Sequence, residues 1–322
     1  VRVTVRQPET AARPVALFVL GMARSGTSAL TRVLSLCGGA LPTGLVGGME
    51  ANPRGFFESR KAAYVNEAIL RRQGSAGYDP SLRLQQEGAF DAKAKAACLA
   101  EIGAFLSTLP AAPLVVLKDH RINAIAPLWF EAARMAGFDV VTVNAVRHPQ
   151  EVIASVAKNA PATPALTNSL WLKYNLLAER DTRAIPRVFV EYPNLLDDWH
   201  REVKRISAAC TIDLDDRDEV AIDEFLTPDL RRQRYDGPMI EPFGTDWNFT
   251  VYEILSRAAR DEPLDESVLD RVFEAYRASE DGFRTASENF RRNFKNPLLR
   301  PSVLRVIGEV LAISHGRRGT WA

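Results

Sequence analysis

The stretch from Val15 to Leu36 constrains this chain more than any other. Val15-Ala16-Leu17-Phe18-Val19-Leu20 is an apolar, β-branched-rich run that ends at Gly21. The short loop Met22-Ala23-Arg24-Ser25-Gly26-Thr27-Ser28 follows, and Ala29–Leu36 then reads as a helix. A strand, a small-residue loop and a helix N-terminus in this order place free backbone N–H groups and the positive end of the helix dipole around an anion. Gly21, Gly26 and Ser28 fit the phosphate-cradling pattern G-x-x-x-x-G-K-[ST], but Thr27 stands where the lysine belongs. In nucleoside triphosphate chemistry that lysine works on the β- and γ-phosphates. Here the nearest cation is Arg24, so the loop suits a phosphate without suiting ordinary ATP chemistry.

The rest of the first two thirds alternates in the same way. Leu114–Lys118, Val140–Val146 and Arg187–Glu191 read as further strands. Helical patterns lie near 26–37, 60–72, 91–107, 124–136, 149–158 and 166–182. Such alternation predicts an α/β fold, a phosphate-loop-like three-layer arrangement with a central parallel sheet flanked by helices on both faces. Ligands of such sheets bind at the carboxyl ends of the strands, where Arg24, Lys118 and Arg147 emerge. The glycine-rich stretch 38–55 reads as a mobile loop, and 73–90 as a second loop between helices. After 230 the alternation fades into helical patterns. The expectation is one domain over 1–322: an N-terminal arm at 1–14, a nucleotide-binding core at 15–210 and a mostly helical extension at 211–322.

A second phosphate signal lies at Val143-Asn144-Ala145-Val146-Arg147-His148-Pro149-Gln150-Glu151-Val152-Ile153-Ala154-Ser155. Arg147 leaves the end of a strand, Pro149 suits the first turn of a helix, and Ser155 follows about two turns later. A guanidinium and a hydroxyl so placed can grip a phosphate held across the sheet from the first loop.

With both motifs in this order, the chain resembles the sulfotransferases that use 3′-phosphoadenosine 5′-phosphosulfate, over about Val15 to Trp199. Gly21–Ser28 is similar to their 5′-phosphosulfate loop, and Arg147 to Ser155 to their 3′-phosphate motif. Asn52-Pro53-Arg54-Gly55-Phe56-Phe57-Glu58 and Leu117-Lys118-Asp119-His120-Arg121 match further segments, the first of them typical of the bacterial-type branch. The resemblance implies direct in-line transfer of a sulfuryl group to a hydroxyl of a small-molecule, sugar or glycolipid acceptor, leaving adenosine 3′,5′-bisphosphate. It implies that Arg24, Ser25, Gly26, Thr27, Ser28, Arg147 and Ser155 bind the nucleotide, and that Arg24 and Lys118 meet the charge of the leaving phosphate. An acceptor hydroxyl needs a base. Glu58 and His120 compete for that role, with Glu58 slightly favoured and Glu50 a weaker third. The cytosolic branch stacks adenine on a tryptophan directly after its first motif. Ala29 occupies that position here, so Trp171 and Tyr192 are the candidate adenine walls. The cytosolic branch also closes its site with a late basic segment, of which Arg317-Arg318-Gly319 is a faint echo.

Composition limits the alternatives. The formal net charge of +1 over 322 residues gives no case for bulk nucleic-acid binding. No apolar run approaches the roughly 18 residues of a membrane span. Cys37, Cys98 and Cys210 form neither a disulfide framework nor a metal-ligand cluster, so a reducing cytoplasm and a metal-free site are expected. Residues 211–229 carry eight acids against Arg217, and 282–322 carry eight bases against Glu288 and Glu309. These stretches read as solvated faces or a mutual contact, or the basic tail helps hold an anionic ligand. The competing functions are a small-molecule kinase, for which Asp119 is the only nearby metal-binding aspartate, and a non-catalytic nucleotide-binding module.

Overall fold

The computed structural model describes residues 13–48, 52, 54–158, 162–215, 218–227, 230, 233–235, 237, 245–294, 303, 306 and 310. Four strands, β1 (Val15–Leu20), β2 (Leu114–Lys118), β3 (Asp139–Val146) and β4 (Arg187–Glu191), form one sheet in the order β2-β1-β3-β4. All three pairings are parallel. The strands are mostly apolar because a parallel sheet is covered on both faces; β1 is buried from Ala16 onward, and β3 adds the buried polar Thr142 and Asn144.

Side chains alternate between the two faces, as strand geometry requires. On one face Leu17, Val19, Val116, Val141, Val143, Val188 and Val190 join a single buried cluster with two helices, α1 (Thr27–Leu36) and α8 (Trp199–Cys210). On the other face Phe18 meets Trp129 and Phe130 edge-on, with ring centroids 6.2 and 5.2 Å away. Those rings belong to α4 (Ala126–Met135), and Phe105 of α3 (Ala92–Leu106) packs edge-on against Trp129. Helices therefore cover both faces, and the expected α/β architecture with its parallel sheet is present. Only β3 departs from its expected bounds, starting one residue earlier.

Local chemistry starts several helices as the sequence suggests. Asp91 caps α3 by accepting from Ala94 N at 2.7 Å. Pro149 opens α5 (Pro149–Ala157), and Thr163 accepts from Leu166 N at the start of α6 (Pro164–Asp181). A six-residue 3-10 stretch, His120–Ile125, precedes α4 where the pattern suggested only the helix. The described part of the glycine-rich stretch is pinned, not free: Ala40 bridges to Val115 and Leu45 to Ser59. The remaining described helices are α2 (Arg60–Arg72), α7 (Tyr192–Asp197), α9 (Glu219–Phe225), α10 (Trp247–Ala258) and α11 (Glu266–Phe294).

The chain divides into two compact units, Val1–Val272 and Phe273–Ala322. The first holds the sheet. The second holds the later part of α11, where Arg284 pairs with Glu280 one turn away at 2.9 Å. Glu50, the Arg317-Arg318-Gly319 segment, most of the basic tail, and Asp216, Arg217 and Asp229 of the acidic stretch lie outside the described residues. Among the described acids of that stretch, Asp223 accepts from Trp199 Nε1 and Glu219 pairs with His200, both at 2.8 Å. No helix among the described residues is long and apolar enough to cross a membrane.

Phe18 is fully buried and anchors the aromatic cluster beneath the sheet. Phe18→Ala should lower the unfolding free energy by about 3–5 kcal/mol, the cost of deleting a large core ring. Chemical denaturation showing a loss below about 1 kcal/mol would contradict this packing.

Candidate functional site

All four strands deliver a side chain from their carboxyl ends into one cavity of about 560 Å³ in the first unit. Arg24, Gly26, Thr27 and Ser28 come from the turn after β1, and Lys118 and His120 from the end of β2. Arg147 and Ser155 come from the segment after β3, and Tyr192 follows β4. Residues more than a hundred positions apart thus meet as a parallel sheet dictates.

The loop after β1 is held at several points. Asn123 accepts from Gly21 N at 2.8 Å and donates to Gly21 O at 3.2 Å, holding both backbone polar groups of that residue. Gly26 adopts a φ of 86° and caps α1 without a side-chain hydrogen bond, which leaves the first-turn N–H groups to an outside acceptor. A Cβ at Gly26 would stand 2.1 Å from the Tyr192 ring, so only glycine fits. Ser25 N is spent on Met22 O at 3.1 Å, so the Ser25 N–H is not open to an outside acceptor. Ser25 Oγ is buried with no hydrogen-bond partner, and Thr27 is buried at the first position of α1.

The loop after β1 and the segment after β3 grip each other. Arg24 sits in the left-handed region with a φ of 74°, and its Nε donates to Ser155 Oγ at 3.1 Å. Arg147 Nη1 donates back to the Arg24 carbonyl at 3.1 Å. The Arg147 guanidinium lies over the Tyr192 ring, 4.7 Å from its centroid, while Nη2 donates to Gln233 O at 3.1 Å. Nε donates to Glu151 Oε2 at 2.8 Å. Glu151 was not singled out in the sequence, although its spacing of four from Arg147 at a helix start is an ion-pair signal. Asn123 was also missed. Its only trace is a lone amide in the apolar run Ile122-Asn123-Ala124-Ile125.

Trp171 is no adenine wall. It is fully buried, and its Nε1 donates to the Arg147 carbonyl at 2.9 Å. It supports the strand end from behind, because an indole so deep in α6 has no open face. Tyr192 does line the cavity, beneath Gly26 and Arg147.

The segment ending at Glu58 folds over the loop. Asn52 Nδ2 donates to Gly55 O at 2.6 Å and to Ser28 Oγ at 3.5 Å. Arg54 reaches Phe225 O and Thr227 Oγ1. Lys118 Nζ donates to Glu58 Oε1 at 2.5 Å, to Phe56 O at 3.2 Å and to Ser28 Oγ at 3.3 Å. Both partners of that ion pair are buried, with side chains 5% and 11% exposed. Burial raises the Glu58 pKa, but the charges of Lys118 and His120, the Lys118 hydrogen bond and Arg121 together hold it below the ordinary carboxylate value. The His120 pKa is lowered as well, but with burial as the cause. Burial lowers its pKa, aided by Arg121 and Lys118 and opposed by Asp119 and Glu58. The imidazole is neutral near pH 7, and its buried Nε2 has no hydrogen-bond partner. Asp119 is fully buried, and its Oδ1 accepts from Arg121 N at 2.8 Å and from Arg121 Nη1 at 3.2 Å, so its carboxylate serves that arginine. Among the described residues no His, Cys, Asp or Glu cluster could hold a metal ion. All three cysteines are buried free thiols.

The pair of Lys118 and Glu58 has a definite pH signature. A carboxylate with a lowered folded pKa stabilises the fold above its unfolded pKa, and that contribution is lost as pH falls through the folded value. Lys118→Met strands Glu58 as a buried, uncompensated carboxylate, which should cost about 3–5 kcal/mol at pH 7. Its pKa then rises, so the deficit should shrink on acidification as Glu58 takes a proton. Denaturant unfolding at neutral and mildly acidic pH checks this. A loss that grows on acidification, or no loss at pH 7, would contradict it.

No protein-family model matches the chain, and no curated protein matches it. Among solved structures, the chain is similar to the sulfotransferase domain of the Synechococcus PCC 7002 olefin synthase, with a TM-score of 0.46 and 17% identity over 78% of this chain and 98% of that one. It is also similar to the sulfotransferase STF1 of Mycobacterium tuberculosis H37Rv, with a TM-score of 0.38 and 16% identity over 66% of this chain and 71% of that one.

Proposed function

We propose that this protein is a sulfotransferase that moves a sulfuryl group from 3′-phosphoadenosine 5′-phosphosulfate to a hydroxyl of a small-molecule, sugar or glycolipid acceptor. One observation carries the reading. The loop after β1 and the segment after β3 interlock, Arg24 Nε on Ser155 Oγ and Arg147 Nη1 on the Arg24 carbonyl, each at 3.1 Å. Two anion-binding motifs so joined suit one nucleotide carrying phosphates at both its 5′ and 3′ positions.

The residues present fit such a ligand. The uncapped first turn of α1 begins at Gly26, where a side chain would strike Tyr192, and the buried Ser25 hydroxyl has no internal partner. Backbone N–H groups from Gly26 onward, with the Thr27 and Ser28 hydroxyls, would hold the 5′-phosphate. Arg147 and Ser155 would hold the 3′-phosphate. Tyr192 would line the nucleotide's side of the cavity. When bound, the donor supplies a sulfuryl group on a phosphate leaving group. Arg24 and Lys118 would meet the charge that grows on that phosphate. Lys118 is already drawn to the loop through Ser28 Oγ.

The acceptor proton needs a base, and the two candidates differ in readiness. Glu58 is ionised but bound to Lys118, so it can accept a proton only as that ammonium is drawn toward the donor. His120 is neutral and its Nε2 has no partner, so it has proton-accepting capacity without breaking an ion pair. Val46, Ala63, Tyr78 and Arg121 line the same cavity and would shape the acceptor's part of it.

Arg147→Ala should weaken adenosine 3′,5′-bisphosphate by about 2–3 kcal/mol, the scale of a hydrogen-bonded charge, and leave 5′-AMP nearly unchanged. Equal calorimetric losses for both ligands would overturn the 3′-phosphate assignment. In a radiolabelled sulfuryl-transfer assay on fractionated cell extract, Arg24→Ala and Lys118→Ala should each lower turnover by about 10²–10³. Replacement of the true base by alanine should lower turnover by about 10²–10⁴ while sparing nucleotide affinity. If Glu58→Ala and His120→Ala both turn over normally, neither is the base.

A further inference from the structure

Lys173 lies in the middle of α6 with its side chain fully buried, and neither phosphate motif uses it. A buried ammonium is costly unless its hydrogen bonds are met. Lys173 Nζ donates to Asp79 O at 2.8 Å and to Ser81 O at 2.6 Å. The adjacent Tyr174, equally buried, donates its hydroxyl to Gly77 O at 2.6 Å. Two successive side chains of one helix thus seize three carbonyls of the 75–81 turn. The turn is also stitched internally: Asp79 accepts from Ser75 Oγ at 2.7 Å and from Ser81 N at 2.9 Å.

That turn faces the cavity. Tyr78 is 46% exposed and lines it, with its ring centroid 5.8 Å from that of His120. Gly77 lies directly against the imidazole, where an added Cβ would stand 3.1 Å from His120 Nε2. The turn is therefore what shields the unpartnered nitrogen. The other charged groups acting on His120 are Asp119 and Arg121 of its own segment, Lys118 at the end of β2 and Glu58 of the segment over the loop. Of these, Arg121 also packs against Gly77, where an added Cβ would stand 3.2 Å from its Cγ, so the turn borders that side chain as well as the imidazole.

We propose that Lys173, seconded by Tyr174, is a positioning residue of the acceptor subsite: by clamping the 75–81 turn it sets Tyr78 in the cavity lining and keeps Gly77 against His120 Nε2. The word acceptor rests on the sulfuryl-transfer reading; the clamp and its effect on His120 do not. With the clamp intact the imidazole stays dry and neutral. With it loosened, water reaches Nε2 and stabilises the protonated ring, so the His120 midpoint rises.

The test is a long-range 1H–15N NMR titration of the full chain, with His120 assigned by its loss in His120→Gln. Lys173→Met keeps the stem and removes the ammonium. Tyr174→Phe keeps the ring and removes one hydrogen bond. Both should shift the His120 midpoint upward, Lys173→Met by more, while His148 and His200 titrate as in the wild type. A general loss of stability would not single out one histidine in this way. An unchanged His120 midpoint in folded Lys173→Met overturns the proposal. Where Lys173→Met fails to fold, an unchanged midpoint in Tyr174→Phe overturns it instead. Adenosine 3′,5′-bisphosphate, titrated in parallel, should bind both variants within about twofold of wild type. Its failure to bind the wild type would count against the nucleotide reading and leave the His120 result standing.

Discussion

The interlock between Arg24 and the segment after β3 is the contact on which the rest of the site depends. Arg24 holds a left-handed backbone that a residue with a Cβ adopts only where its surroundings impose it. The imposing groups are visible: Arg147 on its carbonyl and Ser155 on its guanidinium. Arg147 in turn is fixed by Glu151, the Tyr192 ring and, through its own carbonyl, Trp171. Moving any of these would shift the loop after β1 and the segment after β3 at once. The sheet makes this economy possible, since neighbouring parallel strands β1 and β3 end side by side.

Charge is distributed with the same logic. Buried ion pairs are weak evidence for stability, because desolvation offsets much of their attraction, yet removing one partner is expensive. The pairs of Lys118 with Glu58 and of Arg147 with Glu151 sit at the carboxyl ends of the strands. Hydrophobic residues there would pack as well. On the proposed function, what the charged pairs would add is a set of cations held in place before an anion arrives, with little reorganisation left to do. His120 completes the set by remaining uncharged among them.

Much of this was readable from residue order. Apolar, β-branched-rich runs located the four strands, three of them to the residue, because strands buried on both faces are mostly apolar, although β3 carries the buried Thr142 and Asn144. The turn between β1 and α1 and the step from β3 into α5 were legible because each is a local pattern whose geometry follows from one strand end and one helix start. What escaped was long-range. Asn123 clamps Gly21 from 102 positions away, and no local periodicity marks that pairing. Trp171 could be read as either a ligand wall or a core ring, because α6 is buried nearly all round and its residue order does not mark which aromatic meets a cavity. Lys173 broke the apolar pattern of α6, but only the fold reveals that three carbonyls of a distant turn await it and its neighbour. Whether Glu58 or His120 takes the acceptor proton is likewise a question of packing, as Lys118 occupies one and the 75–81 turn shields the other.

The central claim is that one cavity holds a nucleotide bearing both 5′ and 3′ phosphates. Thermal stabilisation of the wild-type protein by adenosine 3′,5′-bisphosphate, 5′-AMP and ATP with magnesium tests it most directly. The largest rise in Tm is expected for the 3′,5′-bisphosphate at equal concentration, because only that ligand would engage the loop after β1 and Arg147 together. A larger rise with ATP and magnesium, or equal rises for 5′-AMP and the bisphosphate, would contradict it.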